Sequence, residues 1–115
     1  MIHSIPEEEV VEKTDSSVCL RVKISAASDY FDGHFPGFKV FPALAQIDLM
    51  AHYAHKYLFL PLSTPRIKRF KFSGMVLPDT VVLFKISFDS EKGRVSFEVL
   101  DNEKGDSYSS GSYYV

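Results

Sequence analysis

The chain has 115 residues and 13.0 kDa, with 45% hydrophobic and 24% charged residues. That is the size and composition of one globular domain over residues 1–115, and it excludes two independent domains or a disordered chain. A balance of 13 Lys+Arg against 15 Asp+Glu gives a net charge of -2, so no overall positive field gathers nucleic acid.

Residues Met1 to Glu9 contain neither a basic leader nor an apolar run suited to export, and the reading is cytoplasmic. Cys19 is the one cysteine, which excludes an internal disulfide and a multi-thiolate metal site and fits a reducing compartment. Val18, Leu20, Val22 and Ile24 alternate with Cys19, Arg21, Lys23 and Ser25, the period of a strand with one buried face. Ser25 to Pro42 is rich in Gly, Pro, Asp and aromatics without a sustained period, and reads as a long structured loop of the kind that carries function.

Pro42 suits the first turn of a helix, and Leu44, Ile47, Ala51, Ala54 and Leu58 recur at three or four residues, predicting one long helix over Ala43–Leu58. The longest apolar-rich stretch, around Val40 to Leu62, is interrupted by Gln46, Asp48, His52, His55 and Lys56, so no membrane insertion is expected. After Arg66 the pattern is one of strands. Val82, Phe84, Ile86 and Phe88 alternate, as do Val95, Phe97 and Val99, and the turns Asp89-Ser-Glu-Lys-Gly93 and Asp101-Asn-Glu-Lys-Gly105 end in glycines able to take positive φ. The expected class is α+β, with one helix and an antiparallel sheet around it.

The chemistry concentrates in Asp32-Gly-His-Phe-Pro-Gly37 and the helix that follows. Asp48 projects beside Leu44, Ile47 and Ala51, inside the expected apolar stripe. Desolvation there would keep it protonated and able to donate a proton, while the alternative is a carboxyl that hydrogen-bonds a neighbouring strand. His34 sits on a backbone path shaped by Gly33, Pro36 and Gly37. Phe31, Phe35 and Phe38 around it either exclude water from a site or are plain core. Ala43 and Leu44 open the helix, where unpaired N–H groups favour negative charge developing on a carbonyl oxygen.

Gly33-His34-Phe35-Pro36, then Val40-Phe41-Pro42, then an acidic residue at Asp48, with Lys71-Phe72 and Val76-Leu77-Pro78-Asp79-Thr80 downstream, resembles the hot-dog-fold 3-hydroxyacyl-acyl carrier protein dehydratases, the FabZ and FabA group. The run Ala45-Gln46-Ile47-Asp48 and the short length are most similar to the small aryl polyene-type (ApeI-like) thioester dehydratases. The resemblance implies a sheet wrapped around one central helix. It also implies dehydration of a 3-hydroxyacyl thioester to the trans-2-enoyl thioester, with His34 as base, Asp48 as acid and the Ala43 N–H as donor to the thioester carbonyl. Phe35, Pro36, Val40, Pro42 and Leu44 would line the substrate, which arrives on the phosphopantetheine arm of an acyl carrier protein, with no metal or cofactor. It further implies a homodimer or trimer of dimers, with His34 of one subunit facing Asp48 of the other, and room for a second dehydratase subunit. Three departures stand out: Ala43 replaces the family's usual glycine, His52 replaces a glutamine that many relatives carry, and Asp79 follows Pro78 directly where relatives commonly have Pro-Gly-Asp.

Three other readings compete. Asp48, His52 and His55 fall at helical spacings suited to a divalent metal, but no further strong ligand is predicted nearby. A hot-dog thioesterase is a second enzyme class on the same fold, and a weakly active subunit supporting a partner dehydratase is a non-enzymatic one. Arg66, Lys68, Arg69 and Lys71 form the densest positive cluster, which is either a docking site for an acidic carrier protein or an ordinary solvated strand.

Overall fold

The computed structural model describes residues 8–24, 43–60, 67–74, 76–77 and 79–115, with the side chains at 43–45 and 67–68 outside that description. Within these residues the chain runs β1 (Glu8–Lys13), β2 (Ser17–Ile24), α1 (Ala43–Leu58), β3 (Ile67–Phe72), β4 (Thr80–Asp89), β5 (Arg94–Asp101) and β6 (Ser107–Tyr114). Every neighbouring pair is antiparallel, and the order β1-β2-β4-β5-β6-β3 leaves β1 and β3 as edges.

The alternation read in the sequence is the alternation of burial. Val18, Leu20, Val22 and Ile24 of β2, Val82, Phe84 and Ile86 of β4, and Val95, Phe97 and Val99 of β5 all point into one core. α1 packs on this face, and the Tyr53 ring meets the Phe84 ring edge-on at 5.5 Å. The two repeated turns are as expected, since Gly93 and Gly105 take φ of 64° and 74°, a region that favours a residue without Cβ. Gly111 has a different reason: a Cβ there would lie 2.4 Å from the carbonyl oxygen of Arg69, so β6 accepts β3 as neighbour only with glycine at this position.

The helix packs differently from the sequence reading. Its buried side chains are Gln46, Leu49, Met50, Ala51, Tyr53, Ala54 and Leu58, whereas Asp48 is exposed on this chain by itself. At about 100° per residue, Asp48 lies nearly opposite the Gln46 and Tyr53 direction. The sequence stripe of Leu44, Ile47, Ala51, Ala54 and Leu58 leaves out Gln46, Leu49, Met50 and Tyr53, all four of which sit at 0% exposure in the core. β1 is the other departure. Its six residues carry no alternation and are mostly exposed, so backbone pairing to β2, rather than a buried face, makes it a strand.

Candidate functional site

α1 begins at Ala43, so the N–H groups of its first turn have no partner within the helix. No acidic side chain belongs to that turn, so the turn itself carries no negative charge to oppose an oxygen ligand at its partially positive end. The backbone of Ala43 and Leu44 thus opens α1, where the sequence reading expected the helix to start. Asp48 follows on the exposed side of the helix, away from the sheet. His34, Phe35, Pro36, Val40 and Pro42 lie outside the described residues, and so does the spacing between His34 and Asp48.

On the sheet side of the same helix is a polar pair that the sequence reading did not single out. The Ser109 hydroxyl donates to Oε1 of Gln46 at 2.6 Å, with both residues fully buried. Nε2 of Gln46 is equally buried and has no hydrogen-bond partner among the described residues. A signal for Gln46 existed, because it keeps helical spacing with Leu49, Met50 and Tyr53. Ser109 gave none, standing among the serines and tyrosines of β6.

Further along α1 the histidines have other work. His52 meets the Tyr53 ring edge-on at 6.1 Å. Nδ1–H of His55 donates to the Leu60 carbonyl at 2.8 Å, closing the helix C-terminus together with the Leu60 N–H to Ala54 carbonyl bond. Among the described residues no group of three His, Cys, Asp or Glu is arranged to hold a metal ion. No described helix is long and apolar enough to cross a membrane.

In the basic cluster, Arg69 and Lys71 are exposed on the edge strand β3, the backbone of Lys68 falls at a register shift of that strand, and Arg66 lies outside the described residues. Phe70 and Phe72 alternate with these two and remain 40% and 45% exposed, although Phe70 tilts toward the Phe97 ring. The sheet's opposite face carries an open groove lined in part by Ser17, Cys19, Lys85, Ser96 and Glu98. Burial raises the Cys19 thiol above its ordinary value there, which disfavours the thiolate.

Comparison with known proteins bears on this arrangement. The profile described as ApeI-like, ApeI dehydratase, matches residues 10–112. The structure of the dehydratase heterocomplex ApeI:P from Xenorhabdus doucetiae superposes with a TM-score of 0.85 at 27% identity, covering 95% of this chain and 96% of that one. The dehydratase domain of the CurF module of curacin polyketide synthase gives 0.66 at 15% identity, over 96% of this chain and 42% of that one. Zebrafish thioesterase superfamily member 2 gives 0.63 at 10% identity, over 92% and 78%. These last two speak for the hot-dog fold alone, which the described sheet and helix share. No curated protein matches the chain.

Proposed function

From the premise that the chain belongs to the ApeI-like dehydratase family, we propose that it dehydrates 3-hydroxyacyl thioesters carried on an acyl carrier protein, in fatty acid or aryl polyene-type lipid biosynthesis. The observation that carries this reading is the family match over residues 10–112, which spans His34, Ala43 and Asp48 together. In the proposed step the thioester carbonyl acidifies the C2 proton, and neutral His34 takes it. The C2 electron pair forms the C2=C3 double bond as the C3–O bond breaks, and the leaving hydroxyl takes the proton of Asp48 and departs as water. Transfer of the proton from the imidazolium to the Asp48 carboxylate restores both groups. The Ala43 N–H, supported by the uncharged first turn of α1, receives the negative charge that builds on the carbonyl oxygen.

Asp48 is exposed on a single chain, and its proposed part in the reaction calls for a drier setting. A homodimer that places the two long helices side by side would supply it. Edge strand β3, with Phe70 and Phe72 half uncovered, supports such a dimer, because an unpaired apolar edge favours pairing with another chain. A second dehydratase subunit is the alternative companion, favoured by the heterocomplex found for the Xenorhabdus relative.

Enoyl-thioester absorbance after addition of 3-hydroxyacyl-carrier-protein substrates tests the proposal. We expect turnover by the unaltered protein, and a loss of about 10²-fold or more in His34→Ala and in Asp48→Asn with the fold preserved. Full activity in both variants would reject these roles. Absence of turnover with every chain length would move the assignment to a supporting subunit.

A further inference from the structure

Among the described residues the core holds two buried polar side chains, Gln46 of α1 and Ser109 of β6, and they are bonded to each other. The pair is a poor device for stability. Nε2 of Gln46 is buried and has no hydrogen-bond partner among the described residues, so an apolar pair of similar volume would remove an unsatisfied donor at no cost in packing. Its directionality is what an apolar pair lacks. Leu49, Met50 and Ala54 make non-directional contacts, and a helix resting on these alone could slide by one residue, turning about 100°. A 2.6 Å bond between atoms 63 residues apart in sequence does not survive that slip.

We infer that the Ser109 to Gln46 hydrogen bond fixes the rotation and axial position of α1 over β6, and so places the Ala43 N–H and the Asp48 carboxyl for reaction. Gln46 lies three residues after Ala43 and two before Asp48, on the same rigid turns, so any rotation at Gln46 reaches both. Gln46 and Ser109 are positioning residues. Their catalytic consequence rests on the dehydration proposed above, whereas their effect on the helix does not.

Three variants test this: Ser109→Ala, Ser109→Thr, and the double variant Gln46→Met with Ser109→Ala. Two readouts are steady-state kinetics on a 3-hydroxyacyl-carrier-protein and the NMR shifts of the Tyr53 ring, which the edge-on Phe84 ring makes sensitive to helix register. For Ser109→Ala we expect kcat to fall about tenfold or more with KM within about twofold, and Tyr53 to shift. Ser109→Thr keeps the hydroxyl and should restore both kcat and the Tyr53 shifts. In the double variant no buried acceptor is left unpaired, so its thermal midpoint should recover while kcat stays low. That divergence is what a merely structural role does not produce. Recovery of kcat with an unshifted Tyr53 in the double variant would overturn the inference. If the unaltered protein turns over no 3-hydroxyacyl thioester, the dehydration reading fails by itself, and the Tyr53 shifts in the same three variants still decide whether the bond sets the register.

Discussion

The ammonium of Lys56 donates to the carboxylate of Glu8 at 2.7 Å, joining the first residue of β1 to the last turn of α1. Tyr57 donates to the same carboxylate oxygen, also at 2.7 Å. Burial alone would raise the Glu8 carboxyl, but these two donors outweigh it and hold it below the ordinary carboxylate range. A folded value lowered in this way gives stability that is present above the unfolded carboxylate value and lost as pH falls through the folded one. Protection factors of the β1 amides, corrected for the slower intrinsic exchange in acid, should therefore fall on acidification before those of the β4 and β5 amides. Glu8→Gln should show that lower β1 protection already at neutral pH, with a global midpoint change of about 2 °C or less. Unchanged β1 protection in Glu8→Gln would mean that backbone pairing to β2 alone holds the strand.

That strand illustrates where the sequence was legible and where it was not. β2, β4 and β5 bury one face, and burial imposes a period of two that can be read directly from Val, Leu, Ile and Phe. β1 buries almost nothing, so its existence depends on the partner strand and leaves no period. The helix bounds were likewise visible, yet its rotation was not, because hydropathy classed Gln46 with the solvent-facing residues while Ser109, 63 positions away, supplies the partner that lets it go inside. The candidate site shows the same division. A first turn free of acidic residues can be read from local sequence, whereas the exposure of Asp48 depends on which face the sheet takes.

Gly111 is where a single methyl group should cost most. Its Cβ would meet the Arg69 carbonyl oxygen at 2.4 Å and the Phe97 ring at 2.9 Å, so β3 must move away or the ring must leave its place. Gly111→Ala should lower stability by about 2–3 kcal/mol. Gly105→Ala meets nothing within 4 Å and suffers only from its φ of 74°, at about 1–2 kcal/mol. Urea midpoints of the two variants measure the difference, and equal midpoints would show that β3 yields freely.

Phe59 holds the opposite kind of position. It takes φ of 58° just past the end of α1, while its side chain is 86% exposed. The left-handed conformation costs a residue with a Cβ about 1–2 kcal/mol, and the exposed ring returns little of it. Glycine removes that strain but adds freedom to the unfolded chain worth about 0.5–1 kcal/mol. Phe59→Gly should consequently stabilise the protein by about 1 kcal/mol, read as a raised denaturation midpoint. A lowered midpoint would show that the ring makes a stabilising contact.

The exposed cations of β3 give a test of the carrier-protein proposal. Arg69 and Lys71 alternate with Phe70 and Phe72 along an edge strand, so their charges share one side of it and both reach solvent. An acidic carrier would be drawn to that side, and the attraction would weaken as salt screens it. Reversing both charges, as Arg69→Glu with Lys71→Glu, should raise the apparent KM for a carrier-bound 3-hydroxyacyl substrate by about tenfold at low salt. The same variant should act unchanged on a short free thioester, and the tenfold gap should close in high salt. Because β3 is also the proposed dimer edge, size-exclusion chromatography of the variant must show an unaltered oligomer for the KM to report on docking. An equal loss with the free thioester would place these cations in fold or assembly instead.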